Sequence, residues 1–185
     1  MRARTRSALL AVPMLALLTA CDMDAATSPE PVVAPSHDYT LNFGTYQLVQ
    51  TSRTTFELSN SKIIGPAGGV LYLGLHQLVV PRGAVKRYTR FTMTSKFGNN
   101  VVVDLTAVDL STGAEISQFP LPLQLRLSYL LLGVPRSQAH RLTIVWLKDN
   151  SPDGAVEPVK TTLLPMQYYA VGWVTHFSQF AMAMN

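Results

Sequence analysis

The chain has 185 residues, 48% of them apolar and 14% charged, enough for one domain with a substantial core and some additional sequence. Its 15 Lys and Arg against 11 Asp and Glu include no basic run of the kind that marks a nucleic-acid binder. Cys21 is the only cysteine, which excludes an internal disulfide framework.

The first twenty residues read as an export leader. Arg2, Arg4 and Arg6 make a basic start, and "ALLAVPMLALL" from Ala8 to Leu18 is shorter than the roughly 20 apolar residues a membrane-spanning helix needs. Next comes Leu18-Thr19-Ala20-Cys21, which resembles the lipobox of bacterial lipoproteins. Thr19 and Ala20 are small enough for a narrow peptidase cleft, and the Cys21 thiol is a nucleophile that can accept a diacylglycerol. The resemblance implies that residues 1–20 are removed and Cys21 is lipidated. It places the protein in the bacterial cell envelope, on the extracytoplasmic side of a membrane. The alternative, a plain secretory leader, leaves Cys21 without a role. Three of the 15 basic residues precede Cys21 and no acid does, so 12 basic and 11 acidic residues remain in the mature chain. Its formal charge is close to zero.

Residues 21–38 include "DMDAATSPEPVVAPSH", rich in Pro, Ala and small polar residues and lacking any apolar period. A tether is expected, reaching on the order of 50 Å at full stretch. From Tyr39 the pattern changes to period two, so the domain is expected over 39–185. In "VVVDLTAV", Val101, Val103, Leu105 and Ala107 alternate with Val102, Asp104, Thr106 and Val108. In "PLQLRLSY", Leu123, Leu125, Leu127 and Tyr129 share one face. Further expected strands are "TTFEL", "GVLYL", "HQLVV", "RFTMTS", "RLTIVWL", "VKTTLL" and the terminal "YAVGWVTHFSQFAMA". Turn signals separate them: "GPAGG", "PRGAV", "FGNN", "STGAE" and "DNSPDG". Only "PRSQAH" suggests a helical turn. Many short strands punctuated by Gly and Pro predict an all-β fold, an antiparallel two-layer β-sandwich.

Two stretches carry a family likeness. "IIGPAGGVLYL" (Ile63 to Leu73), followed by "LVVPRGAV" (Leu78 to Val85), resembles the opening of ZU-five domains, β-sandwich modules of animal receptors and ankyrins and of bacterial surface proteins. Gly68 and Gly69 would permit positive φ, Pro81 would stop a strand, and Gly83 would allow a sharp reversal. The terminal "HFSQFAMA" is similar to that family's closing strand. The resemblance covers about residues 63–185 and implies a sandwich that mediates protein contacts. The partners expected are the membrane, through the lipid on Cys21, and another envelope protein.

Chemistry is sparse. The histidines at 37, 76, 140 and 176 have no metal-ligand spacing, no catalytic or phosphate-binding motif occurs, and no cofactor is expected. Asp104 and Asp109 read as solvated strand residues. In "DNSPDGAVEPVK", Asp149, Ser151, Asp153 and Gly154 copy half of a calcium loop, yet position twelve is Lys160 rather than the closing Glu. A hairpin turn is the expectation there. In "YLLLGVP" three successive leucines, Leu130 to Leu132, cannot all face one core. Either the following loop folds over them, the simpler expectation, or an exposed cluster marks a partner surface.

His176-Phe177-Ser178 has two readings. As a strand step it places Phe177, Ala181 and Ala183 on one face and Phe180, Met182 and Met184 on the other. As an autoprocessing site, His176 would take the Ser178 proton and the hydroxyl would attack the Phe177 carbonyl. That attack requires a distorted peptide, and a cut there would free only residues 178–185. The strand step is the reading expected.

Overall fold

The structure, a computed structural model, describes residues 42–43, 46–55, 57–95, 98–148 and 156–185, all within one compact unit. The alternating pattern folds as strands almost throughout. In chain order these are β1 (Asn42–Phe43), β2 (Tyr46–Leu48), β3 (Gln50–Thr55), β4 (Leu58–Ile64), β5 (Gly69–Leu73), β6 (His76–Val80) and β7 (Thr89–Ser95). They continue as β8 (Gly98–Asn100), β9 (Val102–Asp109), β10 (Gln118–Ser128), β11 (Leu142–Leu147), β12 (Val156–Val159), β13 (Thr161–Leu164), β14 (Tyr169–His176) and β15 (Gln179–Met184). The one helical element among the described residues is a 3-10 turn, Ala139–Arg141, which overlaps the last two residues of the segment where a single turn is expected.

Two antiparallel sheets pack against each other, as the pattern predicts. One contains β4, β7, β9, β15, β11 and β12 in that order, with β2 and β1 continuing beside the last residues of β15; the other runs β13-β14-β10-β6-β5. β3 and β8 pair separately. The inner faces are the ones the alternation marks. Leu123, Leu125, Leu127 and Tyr129 from one sheet join Val101, Val103, Leu105 and Ala107 from the other in a single buried cluster. Each such large side chain contributes roughly 1.5–3 kcal/mol through burial. On the other face of the larger sheet Leu48, Val102, Val145, Leu147, Ala181 and Ala183 form a second cluster. β15 is therefore buried on both sides.

Two expected strands prove to be two strands each. "VKTTLL" divides at Lys160, with β12 in one sheet and β13 in the other. At that crossing the Thr161 hydroxyl accepts from the Ile144 N–H at 3.0 Å and donates to the Val159 carbonyl at 2.8 Å, filling in for bonds the ladder loses. The terminal stretch divides at Phe177 and Ser178, with β14 in one sheet and β15 in the other. The expectation of one closing strand through His176-Phe177-Ser178 is corrected accordingly. Phe177 shares no face with Ala181 and Ala183; it packs on the main core, and they belong to the second cluster.

"TTFEL" does not form one strand either, because β3 stops at Thr55 and β4 begins at Leu58. β4 has no apolar alternation, since it is an exposed edge held by polar groups. Ser59 and Ser61 pair with Thr94 and Thr92 at 2.9 and 2.8 Å. Asn60 and Lys62 reach across the sandwich edge to the carbonyls of Tyr72 and Val70 at 2.7 and 2.9 Å, occupying acceptors on the edge strand β5. Gly68 and Gly83 do adopt positive φ, at 79° and 83°. Gly69 does not; it is the first residue of β5.

Candidate functional site

One end of the sandwich opens into a groove, and proline is the cause. β10 pairs with β14 from Leu123 onward and again at Gln118 opposite His176, but residues 119–122 break the register. Pro120 and Pro122 cannot donate to the ladder, so β10 bulges away there. The gap is a concavity of about 510 Å³ lined by Ser117, Gln118, Phe119, Trp146, Thr175, His176 and Phe177. A smaller one of about 210 Å³ adjoins it, sharing Trp146, Thr175 and His176 and reaching Glu157, Lys160 and Trp173.

The crossing from β14 to β15 sets the geometry. Ala170 and Val174 face the core, and the alternation carries His176 onto the same face. Its ring meets Trp146 edge-on at 4.4 Å and lies 5.8 Å from Phe180. Phe177 turns in against Phe119 at 4.6 Å and Phe91 at 5.8 Å. Two ring nitrogens here, Trp146 Nε1 and His176 Nε2, are buried with no hydrogen-bond partner in the protein. Buried polar atoms are rarely left so. At the rim Lys148 binds Glu157 at 2.8 Å and lies 5.6 Å from the centre of the Trp146 ring. The Lys148 hydrogen bond, then its charge, hold the Glu157 carboxyl below the usual range.

The crossing has the backbone of an ordinary connection. The Phe177 N–H donates to the Ser117 carbonyl at 2.9 Å, and the Ser178 carbonyl accepts from the Leu105 N–H at 3.1 Å. Among the described residues no peptide bond is cis, and the one non-glycine residue with positive φ is Tyr168. The Phe177–Ser178 bond is trans, and neither of its residues has positive φ. The His176 ring faces Trp146 and Phe180, an arrangement suited to contact with a ligand in the groove.

The other singled-out residues lie elsewhere. Asp109 ends β9 and accepts from the Ser111 N–H and hydroxyl, both at 2.7 Å, which lowers its pKa. It caps a turn. His140 is exposed on the 3-10 turn. Cys21, His37 and the loop residues Asp149, Ser151 and Asp153 are outside the described residues, within which no three His, Cys, Asp or Glu cluster as metal ligands. Trp146, Trp173 and Phe119 are the site residues the sequence reading missed. The inward phase of Trp146, in step with Leu142 and Ile144, was available in "LTIVWL", but no local pattern reveals that the sheets part beside it.

His76 sits at the opposite end, its Nδ1 accepting from the Ser128 N–H at 3.1 Å. Burial pushes its pKa down to about 4 from 6.5. The unfolded chain therefore binds the extra proton between those values, so stability present above pH 6.5 is lost as pH falls toward 4, by about 2–3 kcal/mol. His76→Asn offers an amide oxygen to the same N–H without titrating. Urea unfolding at pH 7 and pH 4.5 should show a larger acid loss in the parent than in this variant; equal losses would refute the assignment to His76.

Compared with protein-family models and with curated proteins, the sequence matches none.

Proposed function

We propose that this protein is a lipid-anchored lipoprotein of the bacterial cell envelope, presenting a ZU-five-like sandwich on a tether as a binding module. The groove beside His176 is its binding site. What carries the reading is the groove itself, whose two concavities share Trp146, Thr175 and His176, with the unpartnered nitrogens Trp146 Nε1 and His176 Nε2 buried behind that wall. A small rotation of either ring would present that unused hydrogen-bonding capacity to a bound ligand. The aromatic surfaces of Trp146, Phe119 and Phe177 favour a ligand with a flat apolar side, and the polar rim favours one with neutral hydrogen-bonding groups. A sugar ring or an amide-rich peptide segment has both. The lipobox resemblance at residues 18–21 supports the anchor, and the glycine and proline turns of 63–85 support the family likeness.

The binding half is tested by titrating the protein calorimetrically with glycan and peptide fractions of its own envelope. Trp146→Phe keeps an aromatic ring but removes the N–H. For a ligand held through that group, affinity should fall about fivefold, the equivalent of one hydrogen bond of ~1 kcal/mol. Ligands that bind parent and variant equally would place the site elsewhere.

A further inference from the structure

The end of the sandwich opposite the groove carries apolar side chains on three turns. Leu75 joins β5 to β6, Leu130 and Leu131 follow β10, and Met166 joins β13 to β14; they are 43%, 50%, 75% and 89% exposed. The loop after Tyr129 does not fold over its leucines, contrary to the simpler expectation. Leu132 alone turns inward, 4% exposed, and the other two point out.

These turns are fastened to one another. The Tyr129 N–H donates to the Tyr168 carbonyl at 2.9 Å, and the Leu132 N–H to the Tyr129 carbonyl at 3.2 Å. Tyr169 donates its hydroxyl proton to the Leu75 carbonyl at 3.0 Å. Arg136 hydrogen-bonds the Tyr168 hydroxyl and lies 5.2 Å from the centre of its ring, beside the backbone that Tyr168 holds at φ 58°. The exposed side chains thus stand on a braced platform. Charge on its segments, 74–75, 129–141 and 165–168, is of one sign: Arg136 and Arg141 are basic and no acid is present. Arg141 donates to the Asn185 main-chain oxygen, whereas the partner of Arg136 is a neutral phenol.

Gln47 lies opposite Met184 and Asn42 opposite Gln47, while the Asn185 N–H donates to the Arg141 carbonyl at 3.2 Å. The first described strand thus begins at the same end as the apolar turns.

We infer that this end docks onto the surface of a lipid bilayer, with Leu130, Leu131, Met166 and Leu75 entering the headgroup region and Arg136 meeting anionic phosphates. Exposed apolar side chains beside Arg136 and the half-buried Tyr168 and Tyr169 match the chemistry of that interface. The inference rests on the proposed anchor at Cys21, because a lipid there would draw this end of the domain, 21 residues further along the chain, toward the membrane. The groove at the opposite end then faces away from the bilayer, open to ligand.

Tryptophan reporters test the orientation. Leu131→Trp and Met166→Trp place the probe at the docking end, and Leu110→Trp places it at the groove end, where Leu110 is 40% exposed. Each full-length protein is purified from membranes and reconstituted in phosphatidylcholine and phosphatidylglycerol vesicles with brominated acyl chains, and the quenching due to Trp146 and Trp173 in the parent is subtracted. Quenching at 131 and 166 should exceed that at 110 several-fold. Equal quenching at all three positions overturns the proposal and leaves the leucines to a protein partner. Intact mass of the same preparations reads the anchor separately. If no acyl chains are found, the same vesicles added to the unlipidated protein give the same comparison, and docking stands or falls on it alone.

Discussion

Gly68→Ala should destabilise the domain by about 3–5 kcal/mol, among the largest effects of any single substitution here. Gly68 has φ 79°, and a Cβ built on it would lie 2.6 Å from the Val80 carbonyl oxygen and 2.9 Å from both Arg82 N and Pro81 C. All three are backbone atoms, so no side chain can rotate out of the way. The left-handed conformation alone costs an alanine ~1–2 kcal/mol. The remainder comes from separating two turns that fit together: Gly68 closes its own turn onto the Gly65 carbonyl at 3.0 Å, and the Gly83 N–H of the next turn donates to the Pro66 carbonyl at 2.9 Å. Gly74→Ala supplies the comparison, because its φ is 55° but nothing lies within 4 Å of the added carbon. It should cost only the conformational part, about 1 kcal/mol. Urea unfolding of both variants decides the matter; equal losses would mean that the docking of 65–69 against 80–83 contributes nothing.

That pair of turns also shows what can be read from sequence and what cannot. Pro81 and Gly83 announce a stop and a reversal by their own backbone chemistry, and β5 and β6 begin and end where the patterns "GVLYL" and "HQLVV" place them. Alternation likewise identifies the inner faces of β9 and β10. It fails where a strand changes sheets, since the period of two continues on both sides of Lys160 and of Phe177 while the partners change. It fails at β4, whose stability comes from hydroxyl pairs and side-chain bonds to the neighbouring sheet rather than from an apolar face. The groove was hidden for a third reason. Pro120 and Pro122 signal a disturbed strand, but only the packing of β11 and β14 around that disturbance puts Trp146 beside His176.

Cys21→Ser should move the protein almost wholly out of the membrane fraction, as a soluble form or an unprocessed precursor. A serine hydroxyl is a far weaker nucleophile than a thiol near neutral pH, so diacylglycerol transfer should stop, and with it the cleavage that follows. The loss should be large because a diacylglycerol brings two chains, each buried methylene adding ~0.8 kcal/mol, where one short chain gives only reversible attachment. Little else would retain the protein. The mature chain has 12 basic and 11 acidic residues, too balanced for electrostatic adhesion to an anionic surface, and the four exposed turn residues offer a shallow contact. Folding should be untouched, since Cys21 precedes the first described strand by 21 residues, so the variant's domain should melt at the parent temperature. Membrane fractionation together with the mass of the peptide bearing residue 21 gives the answer. A variant that stays with membranes in the parent's proportion, without acyl mass in either protein, would refute the lipid anchor and require the leader or the domain itself to hold the protein there.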